Sequence, residues 1–150
     1  MAQTLTRLLI HIVFSTKDRE ELIPLNLEGE LYAFLGGMCR EKESPLLAAG
    51  GTSNHVHLLV SLSKNEALSD LVMRIKRDST RWLVRREPAC AGFHWQDGYS
   101  GFSIGQSQVE VLKRYFARQK EHHKRRTFQD ELHALLNKYG VEFDERYIWR

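Results

Sequence analysis

Cysteine is nearly absent from this sequence. Cys39 and Cys90 stand alone, with no Cys-x-x-Cys pair, which excludes a disulfide scaffold, suits a reducing cytosol and leaves both thiols as packing residues. Proline is as scarce, at three residues, so collagen-like and proline-rich linker classes drop out. Long hydrophobic runs are missing. The longest apolar stretch, Leu8 to Phe14, is broken by His11 and falls far short of the ~20 residues that cross a bilayer. The N-terminus lacks a basic region, an apolar segment and a cleavage site, so the chain is expected in the cytoplasm with no membrane partner. No repeat or low-complexity tract divides it, and residues 1–150 are read as one domain.

What is present is a globular composition, 42% hydrophobic and 27% charged, with an uneven charge distribution. Lys113, Arg114, Arg118, Lys120, Lys124, Arg125 and Arg126 crowd one segment against the single acid Glu121, in a chain whose whole net charge is +3. The remainder is therefore acidic on balance. A basic stripe on such a domain points to a polyanion such as nucleic acid, with a solvated helix face as the alternative.

Periodicity supplies the elements. Arg7 to Thr16 alternates apolar residues on both faces, as a central strand covered on both sides does. Leu27 to Arg40 has helical spacing. Leu46 to Ala49, a turn at Gly50 to Ser53, and His55 to Leu62 read as a hairpin. Leu68, Leu71, Val72, Ile75, Ser79, Trp82 and Leu83 mark a second helix, and Phe102 to Ile104 a short strand. Ser107 and Glu110 form a capping box that opens a helix carrying Tyr115 to about Lys124. Thr127 caps a last helix that Gly140 stops. The order predicts an α+β fold, a ferredoxin-like β-α-β-β-α-β core with an antiparallel sheet and appended C-terminal helices.

Two constellations could carry chemistry. On the strand His55–Leu62, His55 and His57 share one face while Val56, Leu58 and Val60 share the other. Two adjacent imidazoles backed by a core face make a bidentate metal site, and two surface histidines are the alternative. Tyr115 and Gln119, at i and i+4, share a helix face. A core tyrosine would look the same, but Arg114, Arg118 and Lys120 surround this one, and such cations should lower a phenol from its usual ~10.

His55-Val56-His57, Trp95-Gln96-Asp97-Gly98-Tyr99, Tyr115-Phe116-Ala117-Arg118-Gln119-Lys120-Glu121-His122-His123 and Thr127-Phe128 stand in this order along the chain. Together they resemble the HUH single-tyrosine transposases of small bacterial insertion sequences and their REP-associated relatives. The resemblance runs from the first strand to Asp144-Glu145-Arg146-Tyr147. It departs at Ser53-Asn54, where relatives often show Pro-Asn or an acidic residue. It implies that His55, His57 and Gln119 bind a divalent metal, Mg²⁺ or Mn²⁺, and that Tyr115 is the nucleophile. It further implies cleavage and rejoining of single-stranded DNA at hairpin-bearing ends through a 5′-phosphotyrosine, and a homodimer whose tyrosine helix acts in trans. The ion would serve as Lewis acid and template, and the tyrosyl ester would conserve phosphodiester energy so that rejoining needs no ATP.

Other residues keep two readings. Arg74, Lys76, Arg77, Arg81, Arg85 and Arg86 on the second helix could grip a DNA backbone or form a solvated face; Lys76, Arg77 and Arg81 join Arg114, Arg118 and Lys120 as candidate DNA contacts. His122 and His123 read as surface groups at a helix C-terminus with phosphate contact as the alternative, Trp95 and Tyr99 as loop packing with stacking of unpaired bases as the alternative, and His11 as a satisfied interior histidine. A relaxase-like nickase, a domesticated DNA-binding regulator and a His-x-His hydrolase are the rivals. The last would need an Asp or Glu ligand that no spacing in the sequence supplies.

Overall fold

A computed structural model describes residues 2–150. Chain order is β1 (Leu8–Ser15), α1 (Glu28–Glu41), β2 (Leu46–Thr52), β3 (His55–Leu62), α2 (Leu68–Arg86), β4 (Ser100–Ile104), α3 (Val109–Ala117), α4 (Gln119–His122) and α5 (Phe128–Lys138). The strands form one antiparallel sheet in the order β2-β3-β1-β4. This is the ferredoxin-like α+β core predicted, with three helices appended.

Strand alternation explains the layers. Ile12 and Phe14 of β1 and Val56, Leu58 and Val60 of β3 face α1 and α2, and with Leu31, Leu35, Leu71, Ile75 and Leu83 make the main core. The other sides of the same two strands face the appended helices. There Leu9 and Leu59 meet Val109 and Phe116 of α3, while Val13 meets Phe128, Leu132 and Leu136 of α5. A sheet covered on both faces is what the two-sided apolar pattern of β1 required. Cys39 and Cys90 are free and buried, as packing residues.

Three local expectations are corrected. β2 runs on through Gly50 and Gly51, which pair with His57 and Val56, so the turn is Ser53-Asn54. Glycine is needed at position 50 for space: a Cβ there would lie 2.3 Å from the carbonyl oxygen of Phe116. The capping box does not form. Gln106–Gln108 is already wound into a 3₁₀ turn, closed by a 2.9 Å bond from the Gln108 amide to the Gly105 carbonyl, and α3 starts at Val109 without a side-chain cap. The helix expected to reach Lys124 breaks at Arg118, whose backbone (φ −102°, ψ 11°) leaves the helical region. The last helix keeps its signals. Thr127 Oγ1 accepts from the Asp130 amide at 3.1 Å, and Gly140 ends the helix at φ +64°.

Candidate active site

β3 presents His55 and His57 toward α3, α4 and α5, and both rings are fully buried. α3 brings Tyr115 and α4 brings Gln119 to the same place, despite the break between the two helices. The Tyr115 ring stands edge-on to His57 with centroids 5.6 Å apart, and Gln119 Oε1 lies 2.9 Å from His55 Nε2. The four residues named from the sequence therefore form one cluster. Within the chain, α3 packs on β2 and brings Tyr115 beside His57.

The sequence reading missed the centre of the cluster. Glu131 of α5 is 1% exposed. Its Oε1 lies 2.9 Å from His57 Nε2, 3.1 Å from His123 Nε2 and 3.5 Å from His55 Nε2. Its Oε2 accepts from Gln119 Nε2 at 2.9 Å and from the Tyr115 hydroxyl. Burial opposes the charge of this carboxylate, but the contacts from His123, His55 and His57 outweigh it and hold Glu131 well below the usual range. His122 and His123, expected at the surface, also turn inward. His123 bonds Glu131 and His122 Nε2 lies 3.5 Å from it. A signal was there to find: Glu131 falls three residues after Phe128 and four before Leu135, on the apolar stripe of α5.

Tyr115 differs from expectation in its acidity. Burial, and then the negative charge of Glu131, raise the phenol above its ordinary value; Arg126 opposes this more weakly. Cations do rim the approach, since Arg114, Arg118, Arg125 and Arg126 line the cavity over Tyr115. The other candidate DNA contacts lie apart. Lys76, Arg77 and Arg81 line a groove on α2, the helix packed on the opposite face of the sheet. Lys76 points into the 96–98 loop, donating to the carbonyls of Gln96 at 2.8 Å and Asp97 at 3.3 Å, and burial pulls it down to about 8. Arg77 pairs with Asp78 at 3.1 Å, and Lys120 with Glu28. Trp95 packs edge-on to Phe14 and Phe93 and donates to Ser79 Oγ at 2.9 Å, a packing residue as read.

The donor set fits a divalent cation. His55 Nε2, His57 Nε2 and a Glu131 oxygen all lie within 4.8 Å of one another. His55 faces oxygen acceptors at both ring nitrogens: Asn54 Oδ1 at 2.8 Å from Nδ1, and Gln119 Oε1 at 2.9 Å from Nε2. Neither amide is free to flip, because Gln119 Nε2 donates to Glu131 and Asn54 Nδ2 to the Arg19 carbonyl. Burial drops His55 to about 4, so the ring is neutral and carries one proton; because the Thr52 hydroxyl, 3.0 Å from Nδ1, can donate there, that proton can sit on Nε2 toward Gln119 or on Nδ1 toward Asn54. With the proton on Nδ1, held by Asn54, the Nε2 lone pair would be free for a divalent cation that His55, His57, Gln119 and Glu131 could hold.

Solved proteins share this fold. A protein of Deinococcus radiodurans R1 assigned as a transposase superposes with a TM-score of 0.62 at 19% identity, over 79% of this chain and 95% of that one. A REP-associated tyrosine transposase, solved bound to a REP hairpin, superposes with a TM-score of 0.57 at 14% identity, over 82% of this chain and 74% of that one. At such identities these likenesses speak for the fold. No protein of curated function matches the sequence. Residues 4–119, well over half of the chain, match the family described as IS200-like transposases, and the chain belongs to that family.

Proposed function

We propose that this transposase cuts and rejoins single-stranded DNA at hairpin-bearing ends with Tyr115 as nucleophile, working on DNA in the cytoplasm. The observation that carries the reading is the position of the Tyr115 hydroxyl, in one buried cluster with His55, His57, Gln119 and Glu131. A hydrolase would have no use for a tyrosine there. The rival with only a binding role would need none of the five.

His55, His57 and Gln119 would hold Mg²⁺ or Mn²⁺, joined by Glu131. When bound, such an ion polarises a phosphoryl oxygen and orients the phosphate. Asn54 fixes the His55 ring, and Gln119 links the histidine side of the site to the carboxylate. Glu131 Oε2, already accepting the Tyr115 proton in a hydrogen bond, is the atom placed to hold it as the phenol oxygen attacks phosphorus. That attack forms the Tyr–O–P bond and breaks the bond to the 3′ oxygen, which leaves as a 3′-OH after taking a proton from water. Arg114, Arg118, Arg125 and Arg126 around the entrance suit the phosphates of the incoming strand.

The test uses labelled single-stranded oligonucleotides from both flanks of the protein's own gene, with Mg²⁺ or Mn²⁺. A denaturing gel should show a metal-dependent protein–DNA adduct that Tyr115→Phe abolishes while DNA affinity stays within a few-fold. Cleavage that persists in Tyr115→Phe refutes the nucleophile assignment.

A further inference from the structure

Segment 16–23 wraps the turn that leads into β3. The Thr16 amide donates to the Asn54 carbonyl at 2.8 Å, and the Leu22 and Ile23 amides donate to the Ser53 carbonyl at 3.1 and 2.9 Å. Within the segment lies a tight turn, closed by the Glu20 amide on the Lys17 carbonyl at 3.2 Å, with Asp18 at φ 54° and Arg19 at φ 56°. Two central residues at positive φ make the mirror image of the common turn, a form that calls for Asn or Asp followed by Gly. Asp18 suits it. Arg19 does not, because a Cβ at positive φ crowds its own backbone. Glycine would fill position 19 without that strain.

The side chain is what glycine would lack. The Arg19 guanidinium lies over the Trp149 ring, 5.0 Å from its centroid, and Nη1 donates to the Trp149 carbonyl at 3.4 Å, while Nε is buried without a partner. Trp149 is fixed in turn, edge-on to Phe128 and His133 of α5 with centroids 6.5 and 5.4 Å away. The backbone carbonyl of the same arginine accepts from Asn54 Nδ2 at 3.3 Å, and Asn54 Oδ1 lies 2.8 Å from His55 Nδ1. A continuous path therefore runs from α5 through Trp149, Arg19 and Asn54 to the first histidine of the site. Phe128, stacked on the His55 ring with centroids 4.5 Å apart, closes it from the other side.

We propose that Arg19 is a positioning residue: its side chain, seated on Trp149, holds the strained turn where the Arg19 carbonyl fixes the Asn54 amide and, through it, the His55 ring. The strain persists because the anchor, and not the preference of the turn, decides where that carbonyl stands. This role rests on the reading of His55 as a cation ligand.

Two variants of the full chain separate the anchor from the turn. Arg19→Ala removes the anchor and keeps a Cβ at positive φ; Arg19→Gly removes both the anchor and the strain. The thermal midpoint should fall in Arg19→Ala and return to the wild-type value, or exceed it, in Arg19→Gly. Mn²⁺ affinity, read by electron paramagnetic resonance, should fall about 10-fold in both, the lower end of what losing an outer partner of a ligand histidine costs. Affinity for single-stranded DNA should not change. In the metal-free chain, the Asn54 side-chain amide protons should exchange with solvent faster in both variants than in the wild type. Recovery of Mn²⁺ affinity in Arg19→Gly would show that the turn alone suffices and would overturn the proposal, as would wild-type affinity in Arg19→Ala. Loss of DNA affinity with Mn²⁺ binding intact would make Arg19 a DNA contact and overturn it equally. A wild-type chain that binds no Mn²⁺ would remove the cation reading, and exchange of the Asn54 amide would still decide whether Arg19 holds Asn54.

Discussion

At the scale of single residues, the site is held by buried groups whose protons depend on one another. His11 and His55 are neutral in the folded chain, lowered to about 3 and about 4, whereas an unfolded imidazole takes a proton near 6.5. Between those values the unfolded state binds more protons than the folded one, so stability falls as the pH falls. Glu131 adds to the trend, since a carboxyl held below its usual range stabilises the fold above its unfolded value and loses that contribution in acid. Thermal unfolding should therefore show a plateau above pH ~6.5 and a midpoint that drops steadily toward pH 4, with a shallower decline for His11→Phe. An equal slope in both proteins would mean that His11 is not the group responsible. Most of this cluster was legible in the sequence, because strand alternation puts His55 and His57 on one face and a four-residue step puts Tyr115 beside Gln119. Glu131 was not. A carboxylate on an amphipathic helix reads as solvent-facing by type, and only its place on the apolar stripe, between Phe128 and Leu135, argues otherwise. The acidity of Tyr115 was misjudged for the same reason: the arginines were visible as a sequence neighbourhood, while the anion that outweighs them arrives from another helix.

At the scale of elements, α3 is placed by a contact with no side chain on one side. Gly50 of β2 lies under the C-terminal end of α3, so close that a Cβ would fall 2.3 Å from the Phe116 carbonyl oxygen. Substituting alanine must push the helix away or bend the strand, at a cost on the order of 1–3 kcal/mol. Tyr115 precedes Phe116 and His57 pairs with Gly50 across β2 and β3, so either response moves Tyr115 away from His57. Gly50→Ala should thus lose at least tenfold in adduct formation while DNA affinity changes little; retention of full cleavage would show that the seat does not position the tyrosine. The sequence pointed to a turn here, since Gly-Gly commonly marks one. Tertiary packing overrode that preference. The break at Arg118 was equally hidden, because the residues that follow it carry ordinary helical character.

At the scale of the whole molecule, charge is divided between two faces. Arg114, Arg118, Arg125 and Arg126 surround the tyrosine side, and Arg77 and Arg81 lie on α2 across the sheet. Under the proposed chemistry, only the first group would lie beside the phosphate being cut. Alanine at Arg114 or Arg118 should weaken binding of single-stranded DNA and lower the salt dependence of the affinity by about one contact each, whereas alanine at Arg77 or Arg81 should leave it unchanged for an unpaired strand. Equal effects from both groups would mean that the DNA wraps the sheet edge.

The partnerless nitrogen of His11 has a consequence for lineages rather than for single molecules. A descendant of this chain that kept the fold to bind DNA, and lost His57 with the chemistry proposed for it, would be free to place leucine or phenylalanine in that pocket. The imidazole leaves one nitrogen unpartnered in the core, and its one hydrogen bond is to His57. If the proposed chemistry holds, residue 11 would mark its retention, one strand away from the residues where such a marker would first be sought.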